Sequence, residues 1–223
     1  MPRKIRCIIP KIPHHVVQRG NNHQEIFFDK KDREYFCENL KKYSNTQKVY
    51  IGAYCLMTNH LHLLLYPDRE EGLINFMKFI SQIYSQYINR KYKRSGKFWE
   101  NRYKLHLVDP AYEWVVARYI ELNPVRASIV RHPAGYQYSS ARKNLKKIGD
   151  GIVSIDIIKG KQNDYQEFIG EKIEAEETKQ IQEALQQNKA VGGKKFIERV
   201  EERFSRVFKI RKRGRPTREL KEK

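Results

Sequence analysis

The chain has 223 residues, with 45 Lys and Arg against 26 Asp and Glu and a formal net charge of +19, so its expected partner is a polyanion: nucleic acid first, an anionic membrane surface second. No apolar run approaches membrane-span length, and the N-terminal MPRKIRCIIPKIPHH has no signal-peptide h-region or cleavage site, which argues against a spanning or secreted protein. Cys7, Cys37 and Cys55 are odd in number and in no metal-like spacing; they read as reduced, buried thiols and not as a disulfide framework.

The apolar content of 39% suffices for one core in the first two thirds of the chain. The first element is a strand over 12–19, closed by Gly20-Asn21-Asn22. "KKDREYFCENLKKYS" places Tyr35 or Phe36 with Leu40 and Tyr43 at helical spacing, which predicts an amphipathic helix over 30–46. "VYIGAYCLM" and "HLHLLLY" are β-rich runs joined by Thr58-Asn59, and predict a hairpin. A long helix follows over 72–93, with Leu73, Phe76, Phe79, Ile80, Ile83, Tyr84, Tyr87 and Ile88 on one stripe. Next come a strand over 102–108 and a helix over 110–122, the latter bounded by Pro110 and Pro124. Strands joined by helices in this order predict an α+β sandwich, a ferredoxin-like antiparallel sheet with helices packed on it. Residues 1–150 form the expected main domain, 151–206 a helical extension, and 207–223 a basic tail too charged to fold alone.

The apolar stretch CLMTNHLHLLLYP, residues 55–67, is interrupted by His60 and His62. Residues two apart on a strand share a face, so the two imidazoles point one way while Leu61, Leu63 and Leu65 line the other. Two imidazoles about 7 Å apart on a rigid strand can converge on one ion; hydrogen bonding of each to a neighbour at the core edge is the competing reading. Tyr119, in the helix over 110–122, and Asn123, four residues on, share a helical face. Asn123 offers a hard amide oxygen to complete a two-His, one-oxygen site, and Tyr119 would sit one turn away as a nucleophile, although most of the fourteen tyrosines are core or rim aromatics.

Five blocks in order carry a resemblance: HHVVQRGNN (14–22), AYCLMTNHLHLLL (53–65), GKFWENRYK (96–104), ARYIELNPVRASIV (117–130) and YQYSSAR (136–142). From about Pro2 to Lys143 the sequence resembles the REP-associated tyrosine transposases, within the HUH single-tyrosine transposase superfamily. The resemblance implies the HUH endonuclease fold and a nuclease and strand transferase that cuts single-stranded DNA at hairpins. It implies metal ligands at His60, His62 and Asn123 and a nucleophile at Tyr119. It also implies Mg²⁺ or Mn²⁺, a 5′-phosphotyrosine intermediate, and a bacterial, cytoplasmic, nucleoid-associated protein acting as monomer or homodimer without a small-molecule cofactor. The family commonly has Pro where this chain has Thr58, a position that precedes the ligands. Imidazole ligands by affinity alone would favour Zn²⁺ or other late metals, so the metal's identity rests on the resemblance.

Among further candidates for DNA contact, Arg19 and Asn21, with Asn22, follow the first strand, and Arg102 and Arg126 flank the proposed site in sequence. A charged turn and plain salt bridges are the competing readings. Phe98, Trp99 and Tyr103 are candidates for base stacking or for the core. His15 and His106 read as structural. In the tail, Arg213-Gly214-Arg215-Pro216 matches the AT-hook core, whose slim arginines enter a narrow minor groove; a nonspecific phosphate binder is the competing reading. Two other classes stay open: a hairpin-binding protein of the same fold that no longer cuts, and a replication or conjugation HUH nuclease. The latter often carry two tyrosines in the catalytic helix, and Tyr112 lies seven residues before Tyr119.

The tail generates a test. Each Lys or Arg that meets a phosphate releases counterions, with a slope of log affinity against log salt of about −0.7 per contact on single strands. Deleting residues 207–223 is expected to weaken DNA binding and flatten that slope, with cleavage at saturating DNA nearly unchanged. An AT-hook would add a preference for A·T-rich duplex that Arg215→Ala alone erases.

Overall fold

The computed structural model describes residues 6–171 and 175–205. Its first half runs β1 (His14–Arg19), α1 (Lys30–Gln47), β2 (Val49–Leu56), β3 (His60–Pro67), α2 (Glu70–Lys91), β4 (Lys104–Val108) and α3 (Glu113–Glu121). The expected order is therefore found, as an α+β fold. After α3 come α4 (Asn123–Arg126), α5 (Ala141–Lys146), α6 (Gln162–Gly170), α7 (Ala175–Gln187), β5 (Ala190–Val191) and α8 (Lys194–Phe204). The sheet order is β2-β3-β1-β4-β5. The first four strands pair antiparallel, as in the ferredoxin-like arrangement, and β5 adds a parallel edge beside β4.

Alternation along the strands divides the interior in two. Val16, Leu61, Leu63, Leu65 and Leu105 face α1 and α2, where they meet Phe36, Leu40, Leu73, Phe76, Ile80, Tyr84 and Ile88. Of the two candidates on α1 it is Phe36 that is buried, and Tyr35 instead stacks on Tyr87 at 4.0 Å. On α2 the buried stripe takes in Met77, while Phe79, Ile83 and Tyr87 sit half-buried at its margin. Phe98 and Trp99 belong to this core, with the Trp99 indole N–H donating to Ser81 O at 2.9 Å.

The other face of the sheet carries Ala53, Cys55, Leu64 and Val108, and packs on Val116, Ile120, Tyr165, Ile169 and Ile181. Residues beyond 150 are thus part of a core shared with α3, and they supply the fifth strand. At a bulge between Ile51 and Ala53, Ser154 and Ile155 donate to Ile51 O at 2.9 and 3.3 Å. Gly52 permits this approach, because a Cβ there would lie 2.8 Å from Ile157 Cγ2 and from Tyr66 Cε2. The YQYSSAR block runs along β2, with Leu56 N bonded to Tyr138 O and Ser140 N to Tyr54 O, so it covers that strand's edge.

Two buried groups fasten α3. Glu121 accepts from Ser140 Oγ, from Asn144 Nδ2 at 2.7 Å and from Tyr165 OH at 3.0 Å, tying α3 to α5 and α6. Arg118 pairs with Glu177 of α7 at 2.6 Å and donates to Phe168 O at 2.9 Å. Burial pushes the Glu121 carboxyl up to about 7, against three donors that pull it down. The native state therefore holds a proton that the unfolded chain releases above about 4.5, and stability falls as pH rises through about 7. At about 1.4 kcal/mol per pKa unit, the loss amounts to about 3 kcal/mol. Thermal melts from pH 5 to pH 8 should show the wild type losing ground steadily to Glu121→Gln; parallel curves would mean that the carboxyl ionises as freely in the folded protein as in the unfolded chain.

Candidate active site

The sheet face opposite α1 and α2 opens into a cleft of about 390 Å³ lined by Arg19, His60, His62, Arg102, Tyr119 and Asn123, among others. The strand register brings its histidines together. His60 and His62 lie on β3 opposite Arg19 and Val17 of β1, and His15 of β1 lies opposite His106 of β4. The His60 and His62 ring centroids are 5.0 Å apart, and the Tyr119 ring lies 5.8 Å from both His62 and His15.

Each histidine of the pair is oriented by its neighbours. His60 Nδ1 meets Asn59 Oδ1 at 2.6 Å, and Asn59 Nδ2 is held by His23 O at 3.3 Å. An amide oxygen only accepts, so His60 carries its proton on Nδ1 and keeps a lone pair on Nε2. His62 Nδ1 meets His15 Nε2 at 2.9 Å. Burial, then Arg19 and Arg126, lower the His60 ring to about 4. Burial, the neighbouring His60 ring and Arg126 disfavour a second proton on His62 and hold it well below the ordinary imidazole value. Both rings are neutral at pH 7, the state in which imidazole binds a metal.

The expected helix over 110–122 is found nearly to its C-terminal bound, with a tighter first turn, and a second short turn follows it. Residues Pro110–Tyr112 form a 3₁₀ turn, α3 ends at Glu121, and Asn123 starts the separate turn α4. The cause is Pro124, which has no N–H to give the Ile120 carbonyl. The Asn123 side chain takes over: its Nδ2 donates to Tyr119 O at 2.9 Å and Ile120 O at 3.1 Å. The amide nitrogen is thereby committed to the backbone, and Oδ1 is left as the group Asn123 can offer the cleft. Tyr119 and Asn123 still share one side of the chain, as their spacing predicts.

Among the described residues no three His, Cys, Asp or Glu side chains group to hold a metal ion. Two neutral imidazoles and one anchored amide oxygen do fit a divalent cation, provided the third donor is Asn123.

Arg19 and Arg102 line the cleft. Arg126 lies over the Tyr119 ring at 4.1 Å and donates from Nη2 to Tyr119 O at 2.9 Å. Asn21 is not among the lining residues; its backbone N–H is bonded to Phe98 O at 2.8 Å. Arg213 and Arg215 fall outside the described residues. Tyr112 does not line the cleft and packs with the apolar residues on this side of the sheet. Sequence reasoning missed Gln182, Leu185 and Gln186, which make α7 a wall of the cleft. The helical pattern of 175–187 was legible, but nothing in it says where the helix docks. It also read His15 and His106 one at a time, whereas both are fully buried and bonded to each other at 2.9 Å.

The family model of IS200-like transposases matches residues 9–123, just over half of the chain. A search of curated proteins finds no match. Among solved structures, a REP-associated tyrosine transposase bound to a REP hairpin superposes with a TM-score of 0.55 at 14% identity, over 70% of this chain and 93% of that one. A candidate transposase from Deinococcus radiodurans R1 gives a TM-score of 0.38 at 17% identity, over 54% of this chain and 96% of that one. The family match spans β1 to Asn123 and so takes in His60, His62 and Tyr119: the chain belongs to the IS200-like transposase family.

Proposed function

We propose that this transposase is of the REP-associated kind, a divalent-metal-dependent endonuclease and strand transferase acting on single-stranded DNA at REP-like hairpins. The observation that carries the reading is the convergence of His60, His62, Tyr119 and Asn123 on one cleft with arginines at its rim. A non-cleaving binder would not need a nucleophile beside two oriented imidazoles. A single tyrosine of the catalytic helix faces the cleft, which favours this reading over a two-tyrosine replication or conjugation nuclease.

In this reading His60, His62 and Asn123 hold Mg²⁺ or Mn²⁺, which when bound would polarise the scissile phosphate. Arg19 and Arg102 bind flanking phosphates and set the strand's register, as backbone contacts do. The Tyr119 oxygen attacks phosphorus, the P–O3′ bond breaks, the phenol gives up its proton and the departing 3′ oxygen gains one. The products are a 5′-phosphotyrosine and a free 3′-OH. Attack by a 3′-OH on the phosphotyrosine reverses the bond changes, so strand transfer needs no nucleotide cofactor. Arg126 holds Tyr119 from above, through its ring and its carbonyl, and places a fixed positive charge near the phosphate being transferred. Helix α7 closes one wall of the cleft, and residues 207–223 would serve as a separable basic tail.

The test is a hairpin oligonucleotide labelled at its 3′ end and incubated with Mg²⁺ or Mn²⁺. The label is expected to move into a protease-sensitive covalent adduct, and Tyr119→Phe is expected to abolish it. An adduct that survives Tyr119→Phe rules out Tyr119 as the nucleophile, and hairpin binding without any adduct in the wild type supports the non-cleaving protein.

A companion measurement concerns the ligands. His60→Ala and His62→Ala should each reduce cleavage by about 100-fold or more while leaving hairpin binding nearly intact, since the ligands act on the chemistry. Asn123→Ala should reduce it less, because water can replace a neutral amide oxygen. Parallel loss of binding in all three would place these residues in the fold's support and not in catalysis.

A further inference from the structure

The three histidines His62, His15 and His106 form an unbroken hydrogen-bonded series across β3, β1 and β4. His62 Nδ1 meets His15 Nε2 at 2.9 Å, His15 Nδ1 meets His106 Nε2 at 2.9 Å, and His106 Nδ1 meets Leu107 O at 3.3 Å. His15 and His106 are wholly buried and His62 nearly so. Every contact between two neutral imidazoles holds a single proton, and each ring carries one N–H. The series therefore has two internally consistent settings, one with all protons on Nδ1 and one with all on Nε2.

The end of the series decides between them. Leu107 O is a carbonyl and can only accept, so the His106 proton sits on Nδ1. His106 Nε2 is then an acceptor, and the His15 proton must be on Nδ1. His15 Nε2 becomes the acceptor for His62, whose proton is likewise on Nδ1. The opposite setting would point the His106 Nδ1 lone pair at the carbonyl lone pairs, and would put a proton on His62 Nε2.

We propose that His15 and His106 are positioning residues that transmit the polarity of the Leu107 carbonyl across three strands, fixing His62 as the Nδ1–H tautomer with a bare Nε2 facing the cleft. The inference rests on the reading of His62 as a metal ligand. In that role a proton on Nε2 would block ligation outright, whereas a donated Nδ1–H raises the ring's basicity and fixes its plane. The stacked contact of the His15 and His62 rings, with centroids 5.1 Å apart and planes 23° from parallel, restrains His62 further. His60 reaches the same tautomer by a local route, through Asn59. No such local acceptor serves His62, whose Nδ1 partner is an imidazole that is itself able to donate or accept. Without His106 beyond it, His15 could take either setting.

The experiment uses the metal-free full chain with ¹⁵N-labelled histidine, in which long-range proton–nitrogen correlations distinguish the protonated ring nitrogen from the bare one. His15, His62 and His106 are expected to show the Nδ1–H pattern, assigned by loss of each signal set in single variants. His106→Leu removes the acceptor that sets His15, and should shift His62 toward Nε2–H. It should also raise the Mn²⁺ dissociation constant, measured calorimetrically without DNA, by about 10- to 100-fold. His106→Gln, whose amide oxygen can accept from His15 Nδ1, should restore much of the affinity and the His62 pattern. A merely structural His106 would give loss of thermal stability in both variants with His62 unchanged. The inference is overturned if wild-type His62 is protonated on Nε2, or if folded His106→Leu binds Mn²⁺ within twofold of the wild type; should His106→Leu not fold, the wild-type spectrum and His106→Gln decide. A wild type with all three rings in the Nδ1–H form that binds no Mn²⁺ overturns the metal reading itself, and leaves the direction of the protons standing.

Discussion

Strand β3 is buried on both faces, and the two-residue alternation of its side chains governs what each face can be. Leu61, Leu63 and Leu65 fill the layer beneath α1 and α2. The residues between them, His62 and Leu64, face the other way, toward α3. A slip of one residue would put the imidazoles into the apolar layer and the leucines into the cleft, at a loss on both faces. The apolar set thus fixes the register, and the register in turn fixes the histidines. Pairing with β1 on one side and β2 on the other leaves β3 little freedom to relax, so the two imidazoles sit on one of the most constrained parts of the sheet.

Tyr119 depends on a different kind of support. Tyr119 is carried by a helix of nine residues, too short to be stable by itself. Its position is set by what surrounds it: Val116 and Ile120 pack on the sheet side, Glu121 is held from α5 and α6, and Arg118 reaches α7. The partners of Glu121 and Arg118 all come from residue 140 onward. The chain after the matched family region therefore helps to place α3, and α7 then lines the cleft beside it. A buried carboxyl and a buried guanidinium, each satisfied by several partners, do this with a directionality that apolar packing alone would not give.

The parts of this fold that were legible in the sequence are those written as local periodicity. The 2-residue pattern of 60–65 gave the face shared by His60 and His62, and the 3–4-residue pattern of 73–88 gave α2 nearly to its ends. The spacing of Tyr119 and Asn123 gave their common side, and Pro124 gave the end of α3 to within a residue, although the 3₁₀ form of Pro110–Tyr112 was not read. What stayed hidden is set by tertiary docking. Glu121 sits two residues from Tyr119 and looks like a solvated helix charge until Ser140, Asn144 and Tyr165 are brought against it. His15 and His106 are 91 residues apart, and only the pairing of β1 with β4 makes them neighbours. Gln182 and Gln186 are ordinary polar residues of an amphipathic helix, and their place on the cleft wall follows from how α7 lies on α3 and β4.

The electrostatics of the cleft join two requirements that usually conflict. A site for DNA needs positive charge at its mouth, and a site for a cation needs donors that are not themselves protonated. Arg19 at the rim and Arg126 above Tyr119 provide the first. The same two guanidiniums act through space on His60 and His62 and, together with burial, disfavour a proton on either ring. Bringing a phosphate strand into the cleft would offset part of that positive field. Burial, the larger cause for both rings, would remain in place and keep them neutral while the DNA is bound. In a chain with a net charge of +19, neutral imidazoles sunk below a basic rim let the cleft attract a polyanion while the His60 and His62 rings stay free of a second proton.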